Sequence, residues 1–201
     1  MKPCVVVSQE MGSEGGPVTL EVCDLTGYRF VQTHAIGKLA RQHGFRGSES
    51  RWLDQGWYRL FARLEERPSV NLTILRPILL EICADRRGVL FLGRGIRELL
   101  QGHVPLFSVH IVAPFQTRAE RIMQQVNIPR SRAEERVRHS DDENAWFSRY
   151  FFRVDWSDRR RYDLVLDTSV LSPREAARRV AETMPHPLEP GPPLFHGGRR
   201  A

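Results

Sequence analysis

The chain has 201 residues, 41% of them hydrophobic, which suits one domain with a substantial core. Of its 30 basic residues all but Lys2 and Lys38 are arginine, and against 24 acidic residues the formal net charge is +6, a balance that draws polyanions. No apolar run approaches the roughly 18 residues that span a bilayer, Met1-Lys2-Pro3-Cys4-Val5 is too short for a signal peptide, and Cys4, Cys23 and Cys83 are odd in number and lack metal-ligand spacing. These features predict a cytoplasmic protein with reduced thiols and no membrane. Nucleic acid is a partner the charge allows but does not favour, since zinc-finger spacing and an aromatic-basic single-strand pattern are both missing.

In chain order, Cys4–Val7 reads as a strand and Pro17–Thr26 as a helix with Pro17 at its first position, stopped by Gly27. His34–His43 reads as a second helix and Gly47–Ser50 as a polar break. Trp52–Glu66 and Ser69–Arg87 are long helical patterns, the second kinked at Pro77. Val89–Leu92 is apolar on both faces, as buried parallel strands are. A short helix to Gln101, a strand over Leu106–Val112 and a helix over Gln116–Val126 follow. Thr117 and Glu120 stand at capping-box spacing, and Ser131 and Glu134 repeat it in a long arginine-rich helical region from Pro129 to about Phe152. Asp163–Asp167 reads as the last strand. Ser172-Pro173-Arg174-Glu175 then opens a helix striped with Ala176, Ala177, Val180, Ala181 and Met184. Residues 185–201 read as a flexible Pro/Gly-rich tail beyond a single domain over 1–184.

Strands alternating with helices predict an α/β fold: a parallel sheet of about five strands with helices on both faces. Ligands of such sheets sit at the carboxyl ends of the strands. Two strand–loop–helix units place glycines there, Ser8–Gly16 after the first strand and Gly93-Arg94-Gly95 after Val89–Leu92. Glycines let successive backbone N–H groups curl around an anion, and a helix N-terminus adds a favourable dipole. A working phosphate loop also supplies Gly-Lys-Ser/Thr. This loop has no cation, and it carries Glu14.

Taken together, Ser8–Gly16, Leu92–Gly95, His110–Pro114 with Arg118 and Arg121, and Ser140-Asp141, Arg149, Val154–Trp156 and Tyr162–Thr168 resemble the cytidylate kinase-like family of bacterial P-loop proteins. The resemblance covers nearly all of Cys4 to Met184 and implies a P-loop kinase-like sheet with a small helical lid at about 128–144. It implies phosphoryl transfer from ATP, with Mg²⁺, to CMP or a related nucleoside monophosphate. Ser8, Gly12, Ser13, Gly15 and Gly16 would hold the donor, with Ser13 the hydroxyl nearest a metal. Arg94, between Gly93 and Gly95, would hold the acceptor phosphate. Arg118, Arg121 and Arg138, with Asp141, would serve the transfer.

The chain departs from that pattern where the chemistry is most demanding. Glu14 stands at a family glycine, Gly16 at a family arginine, Gln9 at another arginine, and Asn144 at the arginine of the lid's Asp-x-x-Arg. After the first helix, Phe30–His34 lacks the usual aspartate. These departures predict weakened transfer. Two alternatives stand beside it: a degenerate member that binds a nucleotide or another anion without turnover, and a basic module binding protein or nucleic acid on the same fold. A homodimer remains open. His110 reads as a packed core histidine, His34 as a minor candidate ligand near the acceptor. The cluster Trp146, Phe147, Tyr150, Phe151, Phe152 and Trp156 reads as core or subunit contact, with base stacking as the alternative.

Overall fold

A computed structural model describes residues 2–31, 36 and 75–185. The helices read at His34–His43 and Trp52–Glu66, the break at Gly47–Ser50, the start of the Ser69–Arg87 pattern, His34 and the tail beyond Pro185 lie outside the described residues.

Five strands form one all-parallel sheet: β1 (Cys4–Gln9), β2 (Arg29–Val31), β3 (Val89–Leu92), β4 (Leu106–Val112) and β5 (Leu164–Asp167), in the order β2-β3-β1-β4-β5. β1 is central, with Val5–Val7 in register with Leu90–Leu92 on one side and Phe107–Val109 on the other. Strand side chains alternate between faces, and here both faces are buried. Cys4, Val6, Val89 and Phe91 enter one core with Ile78, Leu79, Ile82, Leu99 and Leu100. Val5, Val7, Leu90, Val109 and Ile111 enter another with Val18, Val22, Ala176, Ala177 and Val180. Helices α1 (Gly15–Thr26) and α6 (Pro173–Thr183) therefore cover one face, and α2 (Arg76–Cys83) and α3 (Ile96–Leu100) the other. Helices α4 (Phe115–Val126) and α5 (Arg130–Phe152) join through a third apolar cluster of Ala119, Ile122, Ala133 and Val137. Among the described residues no helix is long and apolar enough to cross a membrane.

Several boundaries differ from the sequence reading, each for a local reason. β2 was not anticipated. It is three residues long, and Val31 alone of them is fully buried. β1 runs two residues further, to Gln9. α1 begins at Gly15, so Pro17 is its third residue and not its first. Pro77 lies in the first turn of α2, where its missing N–H needs no partner, and Asp85–Arg87 is a turn outside the helix. The Thr117/Glu120 and Ser131/Glu134 boxes do not form, because Pro114 and Pro129 are the N-caps of α4 and α5 and neither cap makes a side-chain bond. The Ser172/Glu175 box forms in full, with Pro173 in the first turn, a cap worth about 1 kcal/mol. Gly27 closes α1 in the left-handed conformation.

Candidate active site

The carboxyl ends of β1 and β3 open into a cleft of about 810 Å³. One wall is the loop after β1 and the start of α1: Met11, Gly12, Glu14, Gly16 and Pro17. The opposite wall is Leu92–Gly95, Glu98, Trp156 and Tyr162, while Ser140, Asn144 and Ser148 of α5 and Arg121 and Gln124 of α4 flank it. The glycine loops and Arg94 thus face one space. Ser8, Gly12, Gly16, Gly93, Arg94, Gly95 and Arg121 line it. Ser13, Gly15, Arg118, Arg138 and Asp141 do not.

The loop's shape has three causes. Gly12 has φ +82°, and a Cβ there would lie 2.6 Å from the Arg118 carbonyl oxygen, so only glycine fits. Ser13 is fully buried, and its hydroxyl donates to the Ile111 carbonyl at 2.9 Å. The Thr168 hydroxyl, from the end of β5, donates to the Ser13 carbonyl at 2.9 Å. A hydroxyl so engaged faces the sheet, so Ser13 does not present a metal ligand to the cleft. Thr19, one turn further into α1, is fully buried and equally remote.

Glu14 is the N-cap of α1 with φ +60° and ψ +23°, and its side chain makes no capping bond. A side chain in this left-handed region carries strain of about 1 kcal/mol or more. Its carboxylate instead reaches Arg121 Nη2 at 3.2 Å. Arg121 is held beneath the loop by donating from Nη1 to the Gly12 carbonyl and the Thr168 hydroxyl, and from Nη2 to the Thr168 carbonyl at 2.7 Å. The charge nearest the loop is therefore already neutralised from within the loop.

Arg118 is committed to structure. It donates to the Ala113 and Met11 carbonyls, forms a two-pronged pair with Asp141 at 3.0 and 2.9 Å, and lies 3.2 Å from Glu10. It is 5% exposed. Burial pushes the Glu10 carboxyl up, against the Ala113 N–H it accepts and the Arg118 charge, which hold it down. Asp141 and Arg118 thus clamp α5 to the loop. Arg138, exposed on α5, lies over the Phe115 ring of α4, 5.3 Å from its centre. Arg94 pairs with Glu143 of α5 at 3.8 Å, and His139 approaches the same carboxylate at 3.4 Å.

The floor beside Arg94 is aromatic. His110 is buried in β4, its ring 4.4 Å from Tyr162 and 5.4 Å from Trp156. Burial lowers its pKa to about 4, so it is neutral, as a packed core histidine should be. The Tyr162 hydroxyl donates to the Trp156 carbonyl at 2.7 Å, and burial pushes its pKa up to about 12. Of the aromatic cluster, Phe147 is core, Trp146 stacks on Tyr150, and Trp156 alone joins the cleft. Sequence reasoning missed Glu98, Gln124 and Tyr162 as lining residues. Only Tyr162 had a signal, its place beside Asp163 at the start of the last strand.

An all-parallel sheet in this order, with a glycine loop between β1 and α1, defines a P-loop kinase fold. The model of the cytidylate kinase-like family matches residues 4–170, and the chain belongs to that family. Among solved structures it is similar to an uncharacterized protein from Eubacterium ventriosum, 15% identical with a TM-score of 0.69, covering 92% of this chain and 98% of that one. Shikimate kinase from Acinetobacter baumannii in complex with shikimate is 18% identical with a TM-score of 0.52, over 90% and 92% of the two chains. TT1252 from Thermus thermophilus is 18% identical with a TM-score of 0.55, over 90% and 96%. At these identities the likeness is one of fold. No curated protein matches the chain.

Proposed function

We propose that the protein binds a nucleotide phosphate at the Gly12–Gly16 loop and a nucleoside monophosphate beside Arg94. It passes a phosphoryl group from ATP to CMP or a related monophosphate far more slowly than an ordinary kinase. The observation that carries this reading is the two-walled cleft, with the loop glycines facing Arg94 across it and a carboxylate standing in the loop's mouth. Phosphoryl transfer is catalysed almost wholly by positioning and by cancelling charge. Among the described residues the cleft is lined by two arginines, Arg94 and Arg121, and each has a carboxylate beside it. Gly16 and Asn144, where the family has arginine, add none. Two lost charge contacts lower kcat by roughly 10³ to 10⁶.

In this reading the loop N–H groups and Arg121 hold the donor once Glu14 turns aside, and Arg94 holds the acceptor phosphate. Arg118 and Asp141 set the loop and α5 in place without touching the reacting groups. Mg²⁺ is the ion the family implies. Ser13 does not fit it, and no step here depends on a metal. A second reading, anion binding without transfer, is favoured by the commitment of Arg118 to Asp141 and Glu10. Calorimetry with ATP and with CMP, beside a coupled phosphorylation assay, tests both. The expected result is CMP binding that Arg94→Ala abolishes, with turnover well below 1 s⁻¹. Turnover in the ordinary range of about 1–100 s⁻¹ would overturn the slow-transfer reading. Binding of neither nucleotide would overturn both readings and leave the basic interaction module.

A further inference from the structure

The acceptor wall contains one carboxylate that the proposed chemistry does not use. Glu98 lies in the first turn of α3, four residues after Arg94, and lines the same cleft with its side chain 16% exposed. One of its oxygens is fully engaged: Oε1 accepts from Arg97 Nη1 at 3.3 Å and from Arg161 Nη2 at 3.3 Å. These arginines come from different elements, α3 and the 3₁₀ turn Arg159–Arg161, so the carboxylate is fixed from two sides. Arg97 is in turn held by Gln101 and by the Tyr162 ring. The other oxygen, Oε2, makes no hydrogen bond among the described residues and is not among the buried unpaired atoms.

Among the described residues, Oε2 of this fixed carboxylate is an acceptor without a donor. A ligand that offers it an O–H or N–H gains a charge-assisted bond. A ligand that offers it a carbonyl meets lone pair against lone pair, and the site's polar group stays unpaired. Sites built around such a group discriminate strongly against the analogue that lacks the partner. Trp156 and Tyr162 beside Glu98 supply the flat wall a nucleoside would lie along.

We propose that Glu98 is a specificity-determining residue: its Oε2 accepts a hydrogen bond from a hydroxyl or exocyclic amine of the monophosphate whose phosphate Arg94 holds, and it rejects acceptors that present a carbonyl there. This rests on the binding of a nucleoside monophosphate beside Arg94 proposed above.

Calorimetry with CMP, UMP and 2′-deoxy-CMP tests it on the full chain. UMP carries a carbonyl in place of the cytosine amine, and 2′-deoxy-CMP lacks one hydroxyl, so the two comparisons tell an amine from a hydroxyl as the donor. In the unmodified protein CMP should bind at least about tenfold more tightly than one of the two, the scale of a hydrogen bond to a charged group. Glu98→Gln, which can both donate and accept, should bring that ratio to within about threefold. Glu98→Asp keeps a counter-charge for both arginines while withdrawing Oε2 by one methylene, and should lower the ratio likewise if the glutamine variant does not fold. Arg94→Ala should weaken all three nucleotides together. Unmodified protein that binds all three alike, or variants at Glu98 that keep the ratio, would overturn the role of Glu98 while leaving the binding site beside Arg94 standing. Binding of none of the three by the unmodified protein would overturn both.

Discussion

Replacing Glu14 by glycine should separate stability from anion binding. Three effects bear on stability. Relief of the left-handed backbone at φ +60° favours the variant by about 1 kcal/mol. Loss of the Glu14–Arg121 pair opposes it, but the two side chains are 36% and 24% exposed, so solvent screening holds that loss to about 0.5 kcal/mol. The greater freedom of glycine in the unfolded chain opposes it by a further 0.5–1 kcal/mol or so. The sum is within about 1 kcal/mol of zero, a shift in Tm of no more than about 4 °C for a domain of this size. Anion binding has no such cancellation. A carboxylate about 4 Å from a phosphate charge repels it by up to roughly 4 kcal/mol at an effective dielectric of 20. The variant also removes the carboxylate that neutralises Arg121 at the cleft. With exposure cutting that figure to a third or so, pyrophosphate and ATP should bind at least about tenfold more tightly. Calorimetry and thermal melts on the same preparation read the two quantities. An ATP affinity within twofold of the unmodified protein, or a Tm fall beyond about 6 °C, would refute the reasoning, the first by showing that Glu14 does not oppose the ligand and the second by showing that its pair holds the loop together.

Other outcomes follow from the same geometry. Gly16→Arg should fold, since a Cβ at Gly16 meets nothing within 4 Å; combined with Glu14→Gly it should raise turnover in a coupled assay by roughly 10²-fold or more. Gly12→Ala should cost at least about 2 kcal/mol by urea titration, because its Cβ would clash with the Arg118 carbonyl and its φ is +82°. Arg118→Ala leaves Glu10 and Asp141 without their shared cation and should cost about 3–5 kcal/mol; hydrogen exchange over residues 130–144 should then quicken far more than over β1. His110 has a folded pKa of about 4 against an ordinary 6.5, because burial disfavours its charged form. Between those values the unfolded chain binds more protons, so stability is full above about pH 6.5 and falls as pH drops toward 4, by up to about 3 kcal/mol. His110→Phe should flatten that slope in melts taken at pH 4.5 and pH 7.

What the sequence revealed was what depends on short-range pattern. β1 and β3 carry apolar residues on both faces, as a covered parallel sheet requires, and the glycines after them mark the ends where the cleft opens. The Ser172/Glu175 box sits at a true helix start. The boxes at Thr117 and Ser131 have the same spacing, but Pro114 and Pro129 had already begun those helices. β2 is too short for any period to register. The site was less legible because its defining contacts join distant residues. Arg118 and Asp141 are 23 positions apart and looked like two transfer groups, whereas they hold each other. Glu14 looked like a lost glycine. Its strained backbone and its hold on Arg121 exist only once α4 lies against the loop. Glu98 is one of two charged residues in a five-residue helix, and nothing local distinguishes it.

The loop after β1 is closed by residues made long after it. Its Ser13 hydroxyl waits for Ile111, 98 positions on, and its Ser13 carbonyl for Thr168, 155 positions on. During synthesis at roughly 5–20 residues per second, that interval lasts on the order of 10 s. Until Val112 is made the strand that bears the loop lacks β4 beside it, and until Asp167 is made β4 lacks β5 at its far edge. Binding competence should therefore arrive in one late step, when β5 docks, and chains stalled before Thr168 should hold no phosphate even where β1 and β3 have already paired.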